Sequence, residues 1–191
     1  MTNEEWINGK VEETDTQYRV SGRTFLWKDE IQILKKGVEL LCQKFNPKSI
    51  LEFGFGMGWT ASEFQKQGVE KHTILEPNKE LYQKALEWKS EHDDSEIEIL
   101  NIFSWDYETD KIFDLVYDDR QAFQNSVDGE NELHFSQMDK ILPNGQTYAQ
   151  LAYCSGCKVS RNDKGYTIVK KFDDKYIIQH ASKWKKGMRA F

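Results

Sequence analysis

The run Leu51, Glu52, Phe53, Gly54, Phe55, Gly56, Met57, Gly58 constrains this chain more than any other stretch. Its apolar lead-in, from Ser49 through Phe53, reads as a short central strand. Gly54, Gly56 and Gly58 then open a turn in which the backbone can adopt angles, or approach a ligand, in ways that a Cβ would forbid. Residues Trp59 to Gln67 read as the start of a helix. Strand, glycine turn and helix in that order form the first half of a βαβ nucleotide-binding unit, with the helix N-terminus facing the ligand.

Glycine turns alone are common, so the test is an acidic residue one crossover later. The apolar stretch His72, Thr73, Ile74, Leu75 predicts the second strand, and Glu76 ends it. That places a carboxylate about 20 residues beyond the turn, the spacing of an acid that accepts hydrogen bonds from ribose hydroxyls. The plainer alternative is an ordinary tight turn followed by a solvated loop carboxylate.

At 191 residues and 22.5 kDa the chain suits one domain large enough to bury a sheet on both faces. A net charge of -6 and a pI near 5.3 give no general attraction to nucleic acid phosphates, so nucleic acid is disfavoured as a partner. No segment approaches the ~20 apolar residues needed to span a bilayer. The first ten residues are polar and acidic rather than signal-like, and the expectation is a cytoplasmic protein with no membrane partner. The cysteines are Cys42 and a CxxC at Cys154 and Cys157. No second CxxC or close histidine pair completes a metal site, and no metal is expected.

Residues Met1 to Arg23 are polar, with scattered aromatics and no persistent period, and read as an arm or cover. From Asp29 to Phe45 apolar residues recur mostly three, four or seven apart, which predicts a helix ended by Asn46 and Pro47. Pro77 suits the first turn of a helix sustained by Leu81, Tyr82, Ala85, Leu86 and Trp88, closing near Ser90. Ile97, Ile99 and Ile102 predict a third strand, and Phe113 to Tyr117 a fourth that ends at Asp118 and Asp119. A charged pair at the C-terminal end of a parallel strand lies on the ligand side of such a sheet. Leu133 to Leu142 read as a helix, Thr147 to Tyr153 as a fifth strand, and Val159 to Trp184 as a hairpin.

Together these blocks resemble the class I methyltransferases that use S-adenosyl-L-methionine. The blocks LEFGFGMG (51 to 58), HTILEPN (72 to 78), FSWD (103 to 106), FDLVYDD (113 to 119) and GRTFLWKDE (22 to 30) are similar to those of guanidinoacetate N-methyltransferases and their arginine N-methyltransferase-like relatives. The resemblance implies an α/β, Rossmann-like, seven-stranded and mostly parallel sheet with a C-terminal antiparallel hairpin. Residues 1–25 would be an N-terminal arm or lid, and 26–191 the methyltransferase domain. It further implies that Gly54, Phe55, Gly56, Met57 and Gly58 hold the amino-acid part of the cofactor. Glu76, with Pro77 and Asn78 beside it, would hold the ribose, and Ser104 and Trp105 would lie against the adenine. Leu26 takes the place of a methionine near the cofactor. The family's two guanidinium-holding carboxylates fall on Glu30 and Asp118.

That pairing has a chemical logic of its own. A guanidinium stays protonated, with a pKa above ~12, and its nitrogens are poor nucleophiles. Two carboxylates clamping it gather positive charge onto the nitrogens they touch and leave the attacking nitrogen richer in electrons. Asp118 is the better candidate to take up the proton as the methyl arrives. The plain alternatives are a first-turn helix carboxylate for Glu30, a loop residue for Asp118, a surface ion pair for Asp119 and Arg120, and core aromatics for Trp105 and Tyr117. His72, His134 and His180 show no common spacing.

The chain departs from the family pattern after the fifth strand. CSGCKVSRNDKG is too short to contain the further helix expected there, and the proline-tyrosine turn that follows the family's strand-four aspartate is replaced by Asp119, Arg120, Gln121 and Ala122. The acceptor is therefore open. One reading is a small guanidino or amino compound; a second is a peptide or protein arginine; a third is a non-catalytic module that keeps the cofactor fold. Deep enclosure beside Asp118 argues for the first. Sequence leaves the oligomeric state open.

Overall fold

The computed structural model of the protein describes residues 2–92, 96–118, 138–142, 147–154, 166–172 and 175–183. It opens with α1 (Asn3–Asn8), started by a capping box in which Thr2 and Glu5 satisfy each other's backbone amides. Three short antiparallel strands follow: β1 (Val11–Glu13), β2 (Gln17–Val20) and β3 (Arg23–Trp27). The two-residue turn Ser21-Gly22 has positive φ at both positions, the geometry that matches the twist of a hairpin. Where the sequence shows only an aperiodic polar arm there is thus a small sheet, because its strands are too short for a period to register. It runs to Trp27, past residue 25.

A 3-10 turn at Lys28–Glu30 leads into α2 (Ile31–Phe45), which ends where Asn46 turns left-handed before Pro47. The remaining elements are β4 (Ser49–Phe53), α3 (Trp59–Lys66), β5 (Lys71–Leu75), α4 (Lys79–Lys89), β6 (Glu96–Leu100), β7 (Leu115–Asp118), β8 (Thr147–Cys154), β9 (Tyr166–Phe172) and β10 (Lys175–Lys183). α4 starts two residues later than Pro77 suggests, because Asn78 takes the cap, its Oδ1 accepting from Glu80 N and Leu81 N. Of the helix expected at Leu133 to Leu142, only 138–142 are described. Asp119 to Ala122 and the segment with Cys157 lie outside the described residues.

The large sheet has the order β6-β5-β4-β7-β8-β10-β9. The first five of these strands run parallel, and β10 pairs antiparallel with both β8 and β9. The chain steps outward from β4 to β5 to β6, then returns to the other side of β4 as β7. Between β4 and β7 the strand order reverses, and a crevice at the carboxyl ends of such strands is where α/β sheets bind ligands. In register there, Phe53 lies beside Asp118.

β4 is buried on both faces, which explains why Ile50, Leu51 and Phe53 on its two sides are all apolar. Ile50 packs with Val38 and Leu41 of α2, Phe64 of α3, and Leu115 and Tyr117 of β7. Leu51 and Phe53 pack on the opposite side with Val116, Tyr148, Tyr107, Phe113, Met138 and Leu142. Each such side chain, fully buried, is worth about 1.5–3 kcal/mol. Glu52 sits among them because its carboxylate is met twice, by the Thr60 hydroxyl and by His72 Nε2 at 2.8 Å. No helix among the described residues is long and apolar enough to cross a membrane.

Candidate active site

The glycine turn leaves β4 at Gly54, whose N–H donates to Leu75 O at 2.8 Å, and closes where Gly58 N–H donates to Phe55 O at 2.9 Å. Phe55 anchors the turn by burying its ring with Ile74, Ala85, Ile97 and Ile99, against the partly buried Trp88. Gly58, the residue before α3, has φ +76, and a Cβ there would meet the Phe55 ring at 2.6 Å. Glycine is required on both counts. Gly56 has φ +54, and its missing Cβ would face Phe25 at 3.8 Å.

Glu76 reaches back across this turn. Its Oε2 accepts from Phe55 N at 2.9 Å and Gly56 N at 3.2 Å, and its Oε1 from Asn78 N at 2.8 Å. The residue is 2% exposed, and burial pushes its carboxyl up to about 7 against the opposing pull of the three amides. The amides that the resemblance gives to the cofactor's amino-acid end thus include two that hold Glu76. Pro77 is half-buried; its carbonyl and that of Glu76 accept from Asn101 Nδ2.

Asn78, fully buried, uses its other end on the N-terminal arm, Nδ2 donating to Trp6 O at 2.6 Å and Gly9 O at 2.9 Å. Two further bonds tie the arm to α4, from Val11 N to Glu80 Oε2 and from Lys79 Nζ to Asn8 Oδ1. The small sheet covers the turn. Leu26 is buried with Tyr18 and Leu34, and Phe25, Met57 and Trp59 pack against that cluster. Trp59, the first residue of α3, keeps its Nε1 buried with no hydrogen-bond partner among the described residues, while Lys35 Nζ lies 4.6 Å above its ring.

After β6, Ser104 is buried in a 3-10 turn. Trp105 stacks on Phe103 at 4.4 Å with ring planes 8° apart and is half-buried rather than a core aromatic; Tyr117 is core. Across the switch point, Asp118 ends β7 at 1% exposure, and the Tyr148 phenol on β8 donates to its Oδ2 at 2.5 Å. Glu30 is buried at the N-cap of α2, and its Oε2 faces Trp27 N at 3.5 Å. The predicted residues thus fall into a bonded group around the turn (Phe55, Gly56, Glu76, Asn78, with Leu26 beside Met57) and carboxylates on separate elements, Asp118 on β7 and Glu30 ahead of α2. Sequence reasoning missed Tyr148. The signal for it is register: Tyr148 pairs with Val116, so it shares a face with Asp118 one pleat away.

These residues fit an adenosyl amino-acid cofactor on structural grounds: a buried carboxylate one crossover after a glycine-rich turn, an indole N–H beside it with no partner among the described residues, and a half-buried aromatic stack after the next strand. The sequence pattern of the family described as guanidinoacetate N-methyltransferase matches residues 2–168. The chain belongs to this family. A guanidinoacetate N-methyltransferase family protein is an S-adenosyl-L-methionine-dependent N-methyltransferase of class I, and this chain is an enzyme of that kind.

Solved structures agree on the fold of this family member. It is similar to the N-methyltransferase NodS from Bradyrhizobium japonicum WM9, with a TM-score of 0.60, 11% identity, and 81% of this chain and 97% of that chain covered. It is similar also to the glycopeptide N-methyltransferase MtfA complexed with sinefungin (0.57, 15%, covering 77% and 65%). A third is the Burkholderia thailandensis 1,6-didemethyltoxoflavin-N1-methyltransferase, solved with bound 1,6-didemethyltoxoflavin and S-adenosylhomocysteine (0.52, 9%, covering 81% and 62%). At such identities the likeness establishes the fold alone. Among curated proteins none matches the family member's sequence significantly.

Proposed function

We propose that the enzyme methylates a guanidino or amino nitrogen of a small molecule. The observation that carries this reading is Asp118, a carboxylate 1% exposed at the switch point, directly beside the end of the strand that feeds the glycine turn. A buried anion there suits a cationic or N–H-rich acceptor. The depth of the site favours a small one, since both Asp118 and its partner Tyr148 are closed to solvent.

In this reading Gly54, Phe55, Gly56, Met57 and Gly58 receive the amino-acid end of S-adenosyl-L-methionine, with Leu26 packed against Met57 as a wall. Glu76 receives the ribose. Three amides occupy three of its roughly four lone-pair directions, so it arrives at the ligand already oriented. Pro77 and Asn78 hold the loop that carries it, and Ser104 and Trp105 flank the adenine. When bound, the cofactor supplies an electrophilic methyl group on a sulfonium. Asp118 and Glu30 hold the acceptor's N–H groups and fix its plane, and placement alone removes much of the barrier. Asp118 takes up the proton that the nitrogen releases on methylation. The same reading takes the sheet as the seven-stranded class I form with its closing hairpin, which the pairing of β9 with β10 supports. It takes residues 1–25 as a cover, supported by the bonds from Trp6 and Gly9 to Asn78. The proposed setting is the cytoplasm, with neither nucleic acid nor membrane as partner, in keeping with a net charge of -6.

The test is a transfer screen with methyl-labelled cofactor across guanidino acids, small amines and arginine peptides. Labelling of small guanidines or amines supports the reading. Labelling of peptides alone contradicts it.

A further inference from the structure

We propose that Tyr148 is a positioning residue for Asp118: its phenol fixes the plane of the carboxylate and keeps it ionised inside the sheet, so that the acceptor meets an oriented anion. The proposal rests on the reading of Asp118 as the acceptor-holding carboxylate.

Val116 pairs with Tyr148, and Asp118 pairs with Phe53 on one side and Gln150 on the other. Asp118 and Tyr148 therefore point to the same face, where Leu51, Phe53, Val116 and Phe113, with the Tyr107 ring, make a mainly apolar layer. Glu52 of β4, in register with Tyr117, faces the opposite layer, where it meets Thr60 and His72. Glu30 belongs to the turn before α2 and bonds to Trp27 N.

A carboxylate in such surroundings loses its hydration and stays charged only if donors replace the water. The phenol does so at 2.5 Å, the short distance of a charge-assisted O–H···O bond. In this bond the phenol O–H donates and the carboxylate Oδ2 accepts. Tying Oδ2 restricts rotation of the carboxylate about Cβ–Cγ and so directs its remaining lone pairs. Small misplacements of such a group are costly in displacement chemistry. The same bond makes Asp118 a weaker base, so that it holds the acceptor as an anion and takes the proton only as the nitrogen is methylated.

The test uses the full chain saturated with S-adenosylhomocysteine and labelled with ¹³C at aspartate carboxyls, the Asp118 signal being identified by its absence in Asp118→Asn. Methylguanidine serves as the cationic probe. In Tyr148→Phe the Asp118 titration midpoint is expected to rise by about one pH unit, the loss of one hydrogen bond to a charged group. Methylguanidine should dissociate about fivefold more readily or worse, while S-adenosylhomocysteine affinity stays within about twofold. With 3-fluorotyrosine at position 148, a more acidic and stronger donor, the midpoint should move down instead; this variant decides the matter should Tyr148→Phe not fold. A midpoint and a methylguanidine affinity that stay at wild-type values in either variant overturn the proposal. A wild-type Asp118 signal that ignores methylguanidine overturns the reading of Asp118 instead, and the midpoints still report on the Tyr148 bond.

Discussion

The two buried carboxylates flanking the switch point are satisfied by different kinds of partner. Glu76 is held by backbone, three N–H groups contributed by its own loop and by the glycine turn. Asp118 is met by a side chain, the Tyr148 phenol from the neighbouring strand. Backbone amides are present whatever the sequence, so the first end follows from fold geometry once glycines allow the turn. The second end depends on which side chain a separate strand happens to bring. A shared cofactor needs an unchanging cradle, whereas the acceptor is where members of a methyltransferase class must differ. Under the proposed function, this contrast assigns acceptor specificity to the β7–β8 side.

Breaking the Asp118 end should have the larger consequence for turnover. Asp118→Asn is expected to lower kcat by about 10²–10⁴, the usual contribution of a positioned acid–base group, with S-adenosylhomocysteine affinity unchanged by calorimetry. An undiminished rate would remove Asp118 from the chemistry. Glu76→Gln should do the reverse, weakening S-adenosylhomocysteine by about 10- to 100-fold through loss of charged acceptors. Equal weakening by both variants would erase the distinction between the ends.

The backbone-built end can also be stressed through its geometry. Gly58→Ala forces a side chain into a left-handed position and against the Phe55 ring, and should cost about 1–3 kcal/mol in urea unfolding. Gly22→Ala shares the positive φ (+73) but meets no atom within 4 Å, so it should cost less. Equal losses would show that the Phe55 contact is unimportant.

The most gradual effect expected is that of pH on Glu76, whose carboxyl is raised to about 7 in the folded protein against an ordinary 4.5. With the folded value raised, the protein binds more protons than the unfolded chain between these limits. Its stabilising contribution is therefore full below about 4.5 and lost as pH rises through about 7. If Glu76 receives the ribose as proposed, the hydroxyls donate to its ionised form, and cofactor binding below about 7 must release a proton. S-adenosylhomocysteine affinity should then fall by up to about tenfold per unit as pH drops below that point and stay flat above it. Glu76→Gln should flatten the profile, and a wild-type profile already flat from pH 5.5 to 8 would contradict the account.

How much was legible beforehand follows the same division. The five parallel strands and the Gly54 to Gly58 turn were readable because they are local signals: continuous apolar runs, glycines, and an acid one crossover away. Tyr148 was not, since its partnership with Asp118 joins residues 30 apart through sheet register. Asn78 reads as part of a cofactor block, yet its side chain caps α4 and holds Trp6 and Gly9, contacts about 70 residues away that no periodicity announces. The β1–β3 sheet escaped for another reason: strands of three to five residues with one face over the turn leave too short a pattern. Glu52 in a central strand looks like an error in the apolar run until Thr60 and His72 are seen to satisfy it.

The central claim, that one carboxylate serves the cofactor and the other the acceptor, is tested most directly by titrating S-adenosylhomocysteine calorimetrically into wild-type, Glu76→Gln and Asp118→Asn protein at pH 7.5. The account predicts measurable binding to wild type, at least about tenfold weaker binding to Glu76→Gln, and affinity within about twofold of wild type for Asp118→Asn. Absence of binding to wild type, or a Glu76→Gln affinity equal to that of Asp118→Asn, would contradict it.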